Sequence, residues 1–338
     1  MEILQYAKED KYDIGNDINL GSDNFILACG GRNIGKTFST KAWLWNRVAT
    51  TGMPFITLGR DVGELDMLAD TMFDNLQANG YLKDVQFYSY DIGRGIGKKL
   101  CIVENSEEIC VSIMLSLKKS DIIRKMSLEN TCAMFFDEVI SESGSYLRNE
   151  PNRLLSVYVT ALRNRNPENF PVILLGNING YYCPYYGQWN IEIPMIGETQ
   201  YFNNGKIKFI NLPDKYDKGT SSDVIGEMSE SYSNFVNNNT LTSLPIKKEV
   251  NCTHISKIIV GNRCLSYDYK DGYLYFSLVD DTEGAVIAMD GWGNKPIDTA
   301  QFCSHVVRSV KRAMASKRIF YDTVKCYSVV MELTKLYW

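Results

Sequence analysis

Residues 24–37 read Asn24-Phe25-Ile26-Leu27-Ala28-Cys29-Gly30-Gly31-Arg32-Asn33-Ile34-Gly35-Lys36-Thr37, an apolar strand that runs straight into a glycine-rich turn. Gly30, four residues, Gly35, Lys36 and Thr37 complete the Walker A spacing of a phosphate-binding loop. Each part has a chemical task. The glycines let successive backbone N–H groups turn toward phosphate oxygens, and the helix that follows presents its positive N-terminal end to them. Lys36 reaches the β- and γ-phosphates as a point charge, and the Thr37 hydroxyl is suited to ligate Mg2+. A glycine-rich turn can match this spacing by chance, but the flanks supply the context that a true loop requires. Phe25–Cys29 has the unbroken apolar character of a buried strand. Phe38, Ala42, Trp45 and Ala49 then recur at helical spacing until Gly52 and Pro54. Gly30, Gly31, Arg32, Asn33, Ile34, Gly35, Lys36 and Thr37 are therefore the expected nucleotide-binding residues.

Outward from the loop, Pro54–Leu58 reads as a second strand, and Leu65, Leu68, Met72 and Leu76 as one amphipathic helix closed by Gly80. Three β-rich stretches follow at Val85–Tyr90, Leu100–Val103 and Ile109–Leu115. Between the first two, residues 93–99 (Gly-Arg-Gly-Ile-Gly-Lys-Lys) resemble another phosphate loop. They lack the Lys-Thr/Ser pair in register and lead into a strand, so they read as a hairpin loop. Thr131–Phe136 is a further apolar strand, ending in Asp137-Glu138. Leu154, Leu155, Tyr158, Ala161 and Leu162 mark a helix that opens near Pro151 and ends at Arg163-Asn164-Arg165. Pro171–Gly176 is another buried strand, terminated by Asn177. Buried strands alternating with helices specify an α/β fold with a largely parallel sheet covered on both faces.

The strand ends carry the chemistry. Asp137 stands where a Walker B carboxylate holds Mg2+, and Glu138 beside it can orient and deprotonate an attacking water. Asp-Glu pairs alone are common in exposed turns; a complete phosphate loop upstream gives this one its functional reading. Asn177 is placed either as a polar sensor of the γ-phosphate or as a turn residue. Arg163 and Arg165 either complement the C-terminal dipole of their helix or insert as an arginine finger into a neighbouring subunit's site. Arg60, after the second strand, contacts nucleotide or pairs locally. A GTPase assignment fails: residues 294–298 (Asn-Lys-Pro-Ile-Asp) set their Asp one position late, and no Asp-x-x-Gly follows the Walker B strand.

At 338 residues and 45% hydrophobic, the chain can bury one large core or two smaller ones. A phosphate-loop domain of roughly 200 residues leaves a second domain of about 100. Nine cysteines without a C-x-x-C pair, and only two histidines, argue against zinc and against a secreted disulfide framework. Cys29 and Cys132, inside apolar strands, read as small core residues. The N-terminus has no signal-peptide pattern and no apolar run spans a membrane, so a cytosolic protein is expected. A net charge of −4 means that nucleic-acid binding must rest on local basic surface or on a multi-subunit ring.

Domain limits are expected at 1–210, with a polar connector over 211–245 and a second domain over 246–338. The second domain shows strands at Ser256–Val260, Cys264–Tyr269 and Tyr273–Val279, with a hairpin turn at Lys270-Asp271-Gly272. Helical stretches follow at about Thr299–Ser316 and Tyr321–Tyr337.

Taken in order, Gly-Gly-Arg-Asn-Ile-Gly-Lys-Thr, Phe-Phe-Asp-Glu, Leu-Arg-Asn-Arg and Leu-Leu-Gly-Asn resemble the genome-packaging ATPases of small short-tailed bacteriophages with protein-primed linear DNA. The similarity continues through Ile225-Gly226-Glu227-Met228-Ser229. It implies an additional-strand ATPase of the terminase kind that uses ATP and Mg2+. Such an enzyme forms a homomeric ring, a pentamer by analogy, on the portal of a procapsid in the infected cell's cytoplasm. It drives double-stranded DNA through the ring, with or without a structural RNA and with no membrane. It also implies Arg163 as the trans finger with Arg165 beside it. A further basic residue in trans falls among Lys118, Lys119, Arg124 and Lys125. In larger terminases the second domain is a ribonuclease-H-like nuclease. Here Asp268, Asp280, Asp281, Asp290 and Asp322 form no evident two-metal cluster, so a smaller α+β vestige of that fold is expected. Arg308, Lys311, Arg312, Lys317, Arg318 and Lys325 offer it a basic face. The alternatives are a packaging enzyme with a live nuclease, and an assembly factor switched by nucleotide.

Overall fold

Four five-residue strands, buried at every position, form the centre of the larger sheet: β1 (Phe25–Cys29), β2 (Phe55–Gly59), β7 (Val172–Gly176) and β9 (Ile207–Asn211). Their near-continuous apolar character is what a parallel strand covered on both faces demands. The computed structural model describes residues 1–6, 11–21, 24–32, 34–93, 95–141, 143–163, 167–178, 183–213, 256–261, 263–289, 300–316 and 318–336. Two compact units are drawn from Met1–Asn179 with Pro194–Asn239, and from Gly180–Ile193 with Thr240–Trp338. Residues 180–193, which the sequence reading counts with the first domain, thus group with the second unit.

The first unit adds β3 (Phe87–Asp91), β4 (Gly97–Glu104), β5 (Glu107–Ser116), β6 (Met134–Phe136) and β8 (Thr199–Phe202). The sheet order is β3-β4-β5-β2-β6-β7-β1-β9-β8. From β5 to β9 all neighbours are parallel, and an antiparallel strand or hairpin closes each edge. Strand β7 stands between the strand before the glycine loop and the strand before Asp137, the arrangement of an additional-strand ATPase.

Alternation along β1 assigns the two faces. Ile26 and Ala28 join a core with Ala42, Leu44, Trp45 and Val48 of α1 (Lys36–Thr51). Phe25 instead meets Tyr158 of α5 (Glu150–Ala161), ring centroids 4.9 Å apart. The single helix expected from Leu65 to Leu76 is two, α2 (Val62–Thr71) and α3 (Asp74–Ala78). Met72 and Phe73 are buried at the break, and Phe73 stacks on Phe87 at 4.8 Å while meeting Trp45 edge-on at 5.8 Å. Core packing at Phe73 offsets the interruption of the helix there. A short helix α4 (Ser120–Ile123) precedes β6. Cys29 and Cys132 are buried free thiols.

In the second unit, β10 (Ser256–Val260), β11 (Arg263–Lys270) and β12 (Tyr273–Val279) form an antiparallel meander. Asp271 and Gly272, at φ 53° and 82°, make the tight turn that this two-residue hairpin requires. Strands β13 (Val286–Met289) and β14 (Ile319–Tyr321) add in parallel at opposite edges, giving the order β13-β10-β11-β12-β14. Besides the short α6 (Pro184–Gln188), helices α7 (Ala300–Ala315) and α8 (Val324–Leu336) belong here. Val306, Val310, Val329 and Leu333 pack on Ile258, Leu265, Leu274 and Phe276.

Candidate functional site

Parallel neighbours point their C-terminal ends the same way, so the residues after β6, β7 and β1 lie side by side. In open α/β sheets that rim is where ligands bind. The residues there are Asp137, Asn177 and the loop from Gly30.

Two glycines of the loop are sterically fixed. A Cβ on Gly30 would lie 2.6 Å from Ile34 Cδ1 and 2.9 Å from Leu212 Cβ, inside any real approach distance. Gly35 caps α1 at φ 106°, where a side chain would also approach the Tyr12 carbonyl oxygen at 3.1 Å. Tyr12 N in turn donates to the Ile34 carbonyl at 2.9 Å, so the N-terminal segment holds the loop from outside.

Lys36 opens α1 and is 8% exposed. Its ammonium donates to the carbonyls of Gly30 (2.9 Å) and Gly31 (2.6 Å) and to Asn177 Oδ1 (2.9 Å). Three donors meet three acceptors. Burial lowers its pKa to about 8; Cys29 and Asp137 oppose the shift and Arg32 adds to it. Thr37 Oγ1 donates to Asp137 Oδ2 at 3.1 Å, and Asp137 Oδ1 accepts from Glu138 N at 3.0 Å. A hydroxyl and a carboxylate side by side are a hard oxygen donor set of the kind that suits Mg2+, so the residues present fit that ion.

Glu138 is exposed and adopts φ 54°, a left-handed conformation that costs a non-glycine residue about 1–2 kcal/mol. Its carbonyl accepts from Arg60 Nη1 at 3.0 Å, and that of Val139 from Arg60 Nη2 at 2.9 Å. The same guanidinium is paired with Glu150, whose side chain is fully buried (Nη2–Oε1 3.1 Å, Nε–Oε2 3.2 Å). Of the two roles open to Arg60 in the sequence, local pairing is the one observed.

Four sequence-predicted residues thus converge: Lys36, Thr37, Asp137 and Asn177, with Glu138 adjoining. Arg163 does not join them. It is exposed, one residue beyond the C-cap of α5, and its guanidinium donates to the Arg124 carbonyl. Arg124 and Lys118 are exposed and paired with Asp121 and Asp61. Asn33, Arg165, Asp290, Lys317, the 294–298 segment and residues 225–229 lie outside the described residues. Sequence reasoning missed Lys41, buried one turn beyond the loop lysine. Its pKa is lowered by burial, with Asp137 and Asp74 opposing. An isolated lysine inside an apolar helical stripe was the available signal.

In the second unit, Asp322 accepts from Leu278 N and Thr323 Oγ1, each at 3.0 Å, while Asp281 pairs with Lys257. Among the described residues no three His, Cys, Asp or Glu side chains group as metal ligands. Arg308 and Arg312 are exposed on α7, and Lys311 between them is half-buried. Lys325 is half-buried, its pKa lowered by burial and by Arg263, so it belongs to the interior edge of α8 rather than to an open basic face. No helix among the described residues is long and apolar enough to cross a membrane.

A model of the podovirus DNA encapsidation protein (Gp16) family matches residues 10–239, and the chain belongs to that family. The fold is similar to the Phi-28 gp11 DNA packaging motor, with a TM-score of 0.64 at 15% identity over 98% of each chain. It is equally similar to the bacteriophage Phi-29 viral genome packaging motor assembly, with a TM-score of 0.64 at 19% identity, covering 97% of this chain and 99% of that one. The comparison with curated proteins gave no match.

Proposed function

We propose that this encapsidation protein hydrolyses ATP and couples the hydrolysis to movement of double-stranded DNA into a viral procapsid. The observation that carries this reading is the convergence of Lys36, Thr37, Asp137 and Asn177 through hydrogen bonds from three separate strand ends. Gly30, Gly31, Arg32, Asn33, Ile34 and Gly35 cradle the phosphates with backbone N–H groups. Lys36 exchanges its two loop carbonyls for phosphate oxygens as ATP enters. Thr37 and Asp137 hold Mg2+, which when bound neutralises charge on the β- and γ-phosphates. Glu138 orients the attacking water and takes its proton. Asn177, bonded to Lys36, senses whether the γ-phosphate is present.

Arg163, with Arg165 beside it, serves the site of a neighbouring subunit, which accounts for an arginine standing exposed and apart from its own chain's site. That role requires a homomeric ring, which we read as a pentamer docked on the portal in the infected cell. Residues 211–245 act as a connector, and the domain over 246–338 contacts nucleic acid or portal through Arg308, Lys311 and Arg312. The experiment compares two variants in nucleotide binding and turnover. Lys36→Ala abolishes or severely weakens ATP binding; Glu138→Gln retains binding and stops hydrolysis, since an amide cannot accept the proton. Near-normal turnover in Glu138→Gln would remove it as the catalytic carboxylate.

A further inference from the structure

Two lysines of α1 are buried, and they are held in different ways. The Lys36 ammonium meets three acceptors directly. Lys41, 7% exposed, makes no hydrogen bond or ion pair among the described residues. An ammonium taken out of water without a direct partner is costly, so charges at longer range must hold it there. The helix places them. Thr37, Lys41 and Trp45 recur every four residues and share one face of α1. At the end of that face nearer the glycine loop, Thr37 Oγ1 donates to Asp137 Oδ2 at 3.1 Å. One turn beyond Lys41, Trp45 meets Phe73 edge-on at 5.8 Å, and Phe73 caps α3, whose first residue is Asp74. Lys41 therefore stands between the half-buried carboxylate that follows β6 and the exposed carboxylate that opens α3. Both favour its charged form against burial.

We propose that Lys41 is the resident counter-charge of Asp137, neutralising that carboxylate while no divalent cation is present, and that Asp74 receives the ammonium when a cation displaces it. The proposal deepens the reading of Thr37 and Asp137 as the Mg2+ ligands and rests on it. One carboxylate cannot compensate both a buried ammonium and a divalent ion. When Asp137 turns its charge to the metal, Lys41 is left with Asp74, and its flexible four-carbon stem lets the amine follow. The ammonium thus acts in two opposed ways. Without metal it favours nucleotide phosphates, because it masks the like charge of Asp137. With metal it repels the cation that the nucleotide brings. Nucleotide binding is thereby less dependent on Mg2+ than Thr37 and Asp137 alone would make it.

The test measures the affinity of the full chain for a fluorescent ATP analogue with Mg2+ and with EDTA, and reads the ratio of the two. Lys41→Met keeps an unbranched stem and removes the charge. It should raise the preference for the metal-bound nucleotide about tenfold, chiefly by weakening metal-free binding. Asp74→Asn leaves Lys41 to Asp137 alone and should lower the preference, by roughly threefold for an exposed and screened charge. In the Lys41→Met background the same Asp74 substitution should change the ratio by less than about twofold, because Asp74 acts only through the ammonium. An unchanged ratio in either single variant, equal weakening of both affinities in Lys41→Met, or an Asp74→Asn effect that persists in full without Lys41 overturns the proposal. Asp137→Asn separates it from the reading beneath it. That variant should lose most of the Mg2+ preference; if the preference survives, Asp137 is no metal ligand and both readings fall. Should Lys41→Met fail to fold, Lys41→Gln, which is likewise neutral, carries the same comparisons with the same outcomes.

Discussion

Lys36 makes ATP binding sensitive to alkaline pH, and the structure sets the range. Its ammonium is buried, and burial lowers its pKa to about 8 from the ordinary lysine value. Nucleotide phosphates stabilise the charged form, so the bound state holds its proton to higher pH than the free state. Above pH 8 the protein must take up a proton to bind, and apparent affinity falls. The attenuation is one plus ten raised to the pH minus eight, which is negligible at pH 7 and roughly tenfold at pH 9, about 1.4 kcal/mol. Titrating a fluorescent ATP analogue with Mg2+ between pH 7 and 9.5 reads it directly. Lys36→Arg, whose guanidinium does not titrate in this range, should give a flat profile. Stability moves the other way. Between about pH 8 and the ordinary lysine pKa the unfolded chain binds a proton that the folded chain lacks, so this group's contribution to unfolding free energy rises with pH. Loss of binding there is thus not loss of fold. An affinity constant to pH 9.5, or an arginine variant that falls in parallel, would refute the argument.

Gly30→Ala forces Ile34 or Leu212 to yield and should cost about 1–3 kcal/mol of stability together with nucleotide binding; equal denaturation midpoints would show that the loop has slack. Arg163→Ala subunits should bind ATP yet hydrolyse it poorly, a finger being worth ~10³–10⁵ in rate. Mixing them with Glu138→Gln subunits should restore some activity as protein concentration rises; an inactive mixture in which rings demonstrably form would exclude Arg163 as a trans residue. Neutralising Arg308, Lys311 and Arg312 together should flatten the salt dependence of DNA binding by up to about 0.9 for each DNA phosphate that is no longer neutralised, and an unchanged slope would return that face of α7 to solvent.

What the sequence made legible follows from locality. The phosphate loop, Asp137-Glu138 and Asn177 each sit where an unbroken apolar run stops, and such runs become buried strands with their ends on one rim. In the second unit the Asp271-Gly272 turn fixed its hairpin, and β10 and β12 span the residues expected. Strand β9 was missed because Lys208 and Asn211 interrupt its apolar character. Both are buried, satisfied by the Asp17 carbonyl at 2.6 Å and the Pro194 carbonyl at 2.8 Å, partners invisible from the strand itself. The break between α2 and α3 was hidden for the opposite reason: Leu65, Ala69, Met72, Phe73 and Leu76 are all buried, so the apolar period runs on through it. Arg60 was ambiguous because its partners, Glu138, Val139 and Glu150, are brought to it only by the neighbouring of β2 and β6.

The most direct test of the account is the rate of ATP hydrolysis by the full chain with and without double-stranded DNA, at fixed Mg2+ and moderate salt. A translocating motor couples nucleotide turnover to its track, so the account predicts faster hydrolysis with DNA, abolished in Glu138→Gln and weakened as salt rises. Binding of ATP with a turnover that DNA leaves unchanged, under conditions where the chain assembles, would contradict it and point to a nucleotide-switched assembly factor.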